Sequence, residues 1–124
     1  MDKQTYIIAR NFFRGEIKTL AERIKHNKYA YRENQRIASK GLEKPDIAYI
    51  GAKHNWEIHW VIASDKANIT ALHILYAKLR GKQHVKEREN AYSKNFEAIN
   101  KRMEEYIAKE QVAHPETAEV AVGG

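Results

Sequence analysis

The 124-residue chain contains no cysteine, only two prolines and only six glycines. Without cysteine it can form no disulfide, has no thiol nucleophile and offers no thiolate ligand to zinc. The glycines are scattered, so there is no glycine-rich phosphate loop, and the GxSxG motif of serine hydrolases is also missing. These absences favour a non-enzymatic protein, for which we expect no cofactor and no bound metal.

Long apolar stretches are also missing. No run approaches the roughly 18 apolar residues of a membrane span. The first residues, MDKQTYIIARNFFRGEI, lack the apolar segment of a secretory signal. We therefore expect a cytoplasmic, intracellular protein with no membrane-spanning segment. A chain of this length with 43% hydrophobic residues is large enough to bury a core of its own.

Acidic residues are too few to balance the basic ones, and the formal net charge is +6. Residues 1–44 alone contain 11 basic and 5 acidic side chains, and no Lys or Arg lies beyond Lys109. Such a charge distribution raises the local concentration of polyanions. It indicates nucleic acid or an acidic protein surface as the partner.

Residues from about Thr5 to Lys40 are predicted to form one long helix. Apolar and amide side chains recur there with alternating spacings of four and three, which is the pattern of a helix seam. The seam positions are Phe13, Ile17, Leu20, Ile24, Asn27, Tyr31, Asn34 and Ala38. Gly41 and Pro45 follow as helix-stop signals.

Residues 46–63, DIAYIGAKHNWEIHWVIA, are predicted to form a β-hairpin. In the second half Trp56, Ile58, Trp60 and Ile62 alternate with Glu57, His59 and Val61, as on a strand with one buried face. An apolar helix is the alternative, because short apolar runs fit both periods.

Two further helices are predicted, from about Lys66 to Arg80 and from about Val85 to Lys109. Ser64 or Asp65 is expected to cap the first of these, which is apolar nearly all round and therefore central, and Gly81 to end it. Together the segments predict a mainly α fold: a small helical bundle of a long N-terminal, a central apolar and a long C-terminal helix, with the hairpin at 46–63. Residues 1–110 would form one basic helical domain and residues 111–124 a flexible tail.

The candidate binding residues are mostly cations on the first helix. Lys28, Arg32 and Arg36 are four residues apart and therefore share one helical row, which Lys25 and Lys40 extend. Tyr29 lies beside the row as a possible stacking ring, and Asn34 and Gln35 as amides able to reach base edges. A second basic cluster surrounds the turn after the central helix: Lys78, Arg80, Lys82 and Lys86. The alternative for both sets is an ordinary solvated helix face.

Aromatic and histidine side chains provide further candidates. Trp56 and Trp60 at strand spacing are expected to pack against a helix, and would form a stacking platform only if they faced outwards. His54, Glu57 and His59 do not have the spacing of a zinc hydrolase motif, and His73 fits a core histidine.

The leading hypothesis is a non-enzymatic protein that contacts the phosphates of DNA or RNA through cationic helix faces, with little sequence specificity. A protein–protein interaction module, such as an inhibitor, adaptor or assembly component with an acidic partner, is the alternative. A metal-dependent nuclease built on His54, His59 and His73 is a third hypothesis, ranked below the other two. Self-association through the Tyr- and Trp-rich surface is compatible with all three.

Overall fold

The computed structural model describes the backbone of residues 1–40, 45–82 and 86–113, and the side chains of residues 1–39, 54–82 and 89–113. In these ranges the chain forms four helices: α1 (Lys3–Lys40), α2 (Pro45–Leu79), α3 (Lys86–Ala91) and α4 (Ser93–Ala113). The predicted mainly α, bundle-like fold is confirmed. None of the described helices has an apolar stretch long enough to cross a membrane.

The β-hairpin predicted for residues 46–63 is wrong, because this segment belongs to α2 and the described ranges contain no strand. Pro45 begins the helix, a position where the missing N–H would have no intrahelical partner in any case. The helix predicted to begin near Lys66 is the second half of the same element. Burial along α2 follows a helical spacing, with buried or half-buried side chains at Asn55, Ile58, Ile62, Asp65, Ile69 and Leu72.

Helix α1 begins with a side-chain cap. The backbone N–H of Thr5 donates to Oδ1 of Asp2 at 2.8 Å, and the Thr5 hydroxyl donates to Oδ2 at 3.1 Å. These hydrogen bonds satisfy an amide that has no partner inside the first helical turn. They also lower the pKa of Asp2, chiefly through the backbone N–H of Thr5. All eight predicted seam positions of α1 are buried or half-buried, which confirms the seam.

Gly81 forms the turn that follows the end of α2, where the sequence predicts that the helix stops. Its φ is +80°, and its N–H donates to the carbonyl of Lys78, while the N–H of Lys82 donates to the carbonyl of Ala77. This pair of hydrogen bonds is a Schellman motif. The predicted third helix is divided at Tyr92 into α3 and α4. Helix α4 extends to Ala113, inside the predicted tail, and residues 114–124 lie outside the described part of the chain.

The helices contribute to two compact units, one formed by Met1–Lys18 with the residues from Ile69 onward, the other by Thr19–Asn68. The first unit contains an aromatic and aliphatic core. Phe13 and Leu72 are fully buried there with Ile99 of α4. The ring of Phe13 stacks on Tyr76 at 5.8 Å between centroids, and Phe12 contacts Tyr106 at 5.6 Å.

The second unit pairs the C-terminal half of α1 with the N-terminal half of α2. Among its described side chains only Leu20, Asn55 and Asp65 are buried, and two of these three are polar. Arg23 neutralises Asp65 through two hydrogen bonds. This unit therefore depends less on apolar burial than the first, and its surface carries the candidate site.

Candidate nucleic-acid interface

Four cations of the predicted row on α1 have described side chains, and all four are exposed: Lys25, Lys28, Arg32 and Arg36. Arg36 is partly neutralised, because its guanidinium donates twice to Oε2 of Glu33, at 2.9 and 3.2 Å. Tyr29 beside the row is also exposed, whereas the predicted amide Asn34 is half-buried. The side chain of Lys40 lies outside the described residues.

Two adjacent hollows lie between α1 and α2 in the second unit. The cationic hollow, of about 540 Å³, is lined by Lys28, Tyr31, Arg32, His59, Ile62 and Lys66. The tryptophan hollow, of about 780 Å³, is lined by Tyr31, Gln35, Ala38, Ser39, Asn55, Trp56 and His59. Because Tyr31 and His59 line both, the two hollows form one continuous surface of the helix pair.

Cations from both helices converge on the cationic hollow. Lys28 and Arg32 come from α1, one turn apart, and Lys66 comes from α2. Among the described residues that line either hollow there is no carboxylate. Lys66 is not among the predicted site residues, because the sequence pattern predicts it at the start of a separate helix after a hairpin.

The two tryptophans are exposed, so the expectation that they pack in a core is wrong. Trp56 is 66% exposed and Trp60 58% exposed. A spacing of four residues puts both on one face of α2, where their rings meet edge to face with centroids 6.1 Å apart. Trp56 lines the tryptophan hollow. The ring of His59 contacts Trp60 at 6.2 Å. An exposed aromatic cluster beside a hollow is typical of a binding surface.

Asn55 forms part of the wall of the tryptophan hollow and is only 9% exposed. Its Nδ2 donates to the backbone carbonyl of Tyr31 at 3.2 Å. Its Oδ1 is buried and receives no hydrogen bond from any residue in the described ranges. A flipped amide would place two acceptors against each other, so the Tyr31 carbonyl fixes this orientation.

The second predicted cluster is largely engaged within the first unit. Lys78 pairs with Glu89 at 3.1 Å, and the guanidinium of Arg80 lies 4.6 Å from the centre of the Tyr76 ring. Lys82 is exposed, and the side chain of Lys86 lies outside the described residues. The first two cations therefore have partners that stabilise the end of α2, where positive charge also complements the helix dipole.

The histidines proposed for a nuclease are not gathered into one cluster. His54 lies 3.9 Å from Glu57 in the second unit, whereas His73 belongs to the first and is exposed rather than buried. The described residues contain no group of three His, Cys, Asp or Glu side chains able to hold a metal ion.

Comparisons with protein-family models, with curated proteins and with solved structures find no match to this chain.

Proposed function

We propose that this chain is a non-enzymatic nucleic-acid-binding protein that contacts phosphates through the cationic hollow. The observation that carries this proposal is the convergence of Lys28, Arg32 and Lys66 from two helices on one hollow. Like charges brought together repel one another, and a bound anion relieves that repulsion.

The chemistry of the three cations suits a phosphate backbone. The guanidinium of Arg32 offers a planar fork that can donate two parallel hydrogen bonds to phosphate oxygens. Lys28 and Lys66 add compact charges on flexible stems, which position a backbone without reading its sequence. We therefore propose that affinity depends mainly on phosphate contacts and varies little between sequences.

The proposal is tested by measuring the affinity for a generic oligonucleotide at several salt concentrations. The logarithm of the affinity should fall linearly with the logarithm of salt, with a slope of about −0.7 for each phosphate neutralised on a single strand. The double variant Lys28→Glu, Arg32→Glu should bind weakly to every sequence and reduce that slope by about 1.4.

A matched control makes the same change in charge on the first unit. Lys94 and Lys101 are both exposed on α4, so Lys94→Glu, Lys101→Glu alters the net charge equally. If both double variants lose affinity to the same extent, overall charge and not the cationic hollow determines binding. If the unchanged protein is retained by neither DNA nor RNA at about 50 mM salt, the proposal is wrong.

An acidic protein surface would meet the same cations, and a pulldown from cells with and without nuclease treatment separates the two partners. Loss of the captured material after nuclease treatment supports nucleic acid. A single protein that remains bound after nuclease treatment, and is released by Lys28→Glu, Arg32→Glu but not by the α4 control, would overturn the proposal in favour of a protein partner.

A further inference from the structure

We infer that the tryptophan hollow receives an unpaired base, so that the ligand is a single-stranded nucleic acid whose phosphates lie in the cationic hollow. This inference rests on the proposed function and adds the class of nucleic acid. The first support is that the two hollows are continuous with each other, because Tyr31 and His59 line both. A strand held at the cations can therefore place a neighbouring base against Trp56.

The second support is the exposure of Trp56. An indole that is 66% exposed gives up most of the free energy that burial of a large aromatic ring would provide. Stacking of a base recovers part of that burial, and it requires no particular base because every base has a π face. Bases in a duplex are already stacked on each other, so a flat indole has access to them only in a single strand.

The third support is the hydrogen-bonding character of the wall. Beside Trp56 lie the amides of Gln35 and Asn55 and the hydroxyl of Ser39. The Oδ1 atom of Asn55 is the acceptor that finds no donor among the described residues. A base edge carries amino and ring N–H donors, so a local adjustment of the wall would allow it to satisfy such an acceptor.

The volume and charge of the surface agree with a nucleotide as occupant. A hollow of about 780 Å³ lies in the range of small-ligand sites, and it shares Tyr31 and His59 with the hollow that the three cations line. An aromatic peptide side chain could also stack on Trp56, but it carries no anion of its own. In a nucleic acid strand every base is joined through its sugar to a phosphate, so one ligand supplies both the ring and the charge that the two hollows match.

Intrinsic fluorescence provides a direct test, since the chain has two tryptophans and both lie on this face of α2. The full chain is titrated with a single-stranded oligonucleotide, with an abasic strand of equal length, and with the corresponding duplex. The inference predicts that the single strand quenches the emission and binds more tightly than the other two. The abasic strand should bind through its phosphates alone, without quenching.

Matched variants locate the stacking ring. Trp56→Ala should weaken binding of the single strand by about 5- to 150-fold and leave the abasic strand unaffected, because one stacked base is lost. Trp60→Ala removes the same kind of side chain one turn away, outside the lining of either hollow, and should bind nearly normally. The Trp60→Ala protein retains only Trp56, so its emission should still be quenched.

The outcomes separate this inference from the proposed function. Equal binding of all three ligands without quenching would overturn base stacking and leave phosphate binding in place. Equal affinity for duplex and single strand would also overturn base stacking and leave phosphate binding in place. Failure of all three to bind at about 50 mM salt would overturn both proposals. Circular dichroism of Trp56→Ala identifies any loss of helix. If Trp56→Ala unfolds, the Trp60→Ala protein still tests the inference, because Trp56 is then the only source of tryptophan emission and its quenching reports stacking.

Discussion

The guanidinium of Arg23 on α1 forms two hydrogen bonds with the carboxylate of Asp65 on α2, from Nε to Oδ2 at 2.7 Å and from Nη2 to Oδ1 at 2.6 Å. The Asp65 side chain is only 4% exposed, whereas that of Arg23 is 54% exposed. The carboxylate is therefore buried, and the cation that neutralises it reaches in from the surface. This pair links the two helices that carry both hollows.

Removal of Arg23 alone should destabilise the fold. Arg23→Met leaves the Asp65 carboxylate buried without this cation and should lower the free energy of unfolding by about 2 kcal/mol. This is less than the cost for a fully buried pair, because Arg23 is half exposed and solvent screens it. The double variant Arg23→Met, Asp65→Leu should recover most of the loss, as measured by urea unfolding. A double variant as unstable as the single one would contradict this account.

Replacement of Asn55 by leucine should separate stability from binding. The change loses one hydrogen bond to the Tyr31 carbonyl but removes a buried acceptor without a donor among the described residues and adds apolar contact. We expect the free energy of unfolding to stay constant or rise by up to about 1 kcal/mol. Asn55→Ala is the control, and should be less stable because it leaves a cavity.

Binding by the same Asn55→Leu protein should decrease for the single strand and not for the abasic strand. A stable variant with unchanged affinity for the single strand would show that this amide does not contact the base. A variant that unfolds more readily than the unchanged protein would contradict the expected stability and indicate that the amide stabilises the helix pair.

Sequence patterns predict α1, and α4 as part of one longer helix from about Val85, because their buried positions are mostly apolar and repeat with helical spacing. The seam of α2 escaped detection because two of its members, Asn55 and Asp65, are polar. The spacing of four between Trp56 and Trp60 also satisfies a period of two, so an exposed helix face was interpreted as the buried face of a strand. Only the position of α1 against α2 reveals which side of these residues is buried.

The candidate site depends on the same helix pair. Lys28 and Arg32 could be predicted because they share a row on a confirmed helix. Lys66 and His59 could not, since their convergence with that row depends on α2 continuing through residues 46–65. Ser64 and Asp65 are the two alternative caps that the sequence predicts, but both lie inside α2, and Asp65 pairs instead with Arg23.

Gly81 and Gly15 should respond in opposite directions to substitution by alanine. A Cβ at either position would meet no atom within 4 Å, so only backbone conformation matters. Gly81 has a φ of +80°, and Gly81→Ala should cost about 1 kcal/mol. Gly15 lies inside α1, where Gly15→Ala should stabilise by about 0.5–1 kcal/mol. Thermal and urea unfolding measure the stability of both variants. A stabilised Gly81→Ala or a destabilised Gly15→Ala would contradict the prediction.

The cap at Asp2 should make the start of α1 sensitive to acid. The pKa of Asp2 is lowered from 3.8, so the carboxylate stabilises the folded state above that pH and loses this effect as the pH falls through the lowered value. Asp2→Asn retains a capping acceptor without the charge, whereas Asp2→Ala removes both. The stability difference between the unchanged protein and Asp2→Asn should be present near neutral pH and disappear as the pH falls through the lowered pKa of Asp2. A difference that persists at lower pH would exclude the carboxylate as its source.

Variants of Lys66 and Lys82 distinguish the cationic hollow from the basic turn after α2 that the sequence predicts as a second binding cluster. Both are exposed lysines, but Lys66 lines the cationic hollow and Lys82 follows the helix-ending Gly81 in the first unit. Lys66→Gln should weaken oligonucleotide binding and reduce the salt slope by about 0.7, the value for one phosphate contact on a single strand. Lys82→Gln should leave both quantities nearly unchanged. Equal losses would extend the interface to the turn after α2, and a loss only in Lys82→Gln would move it there.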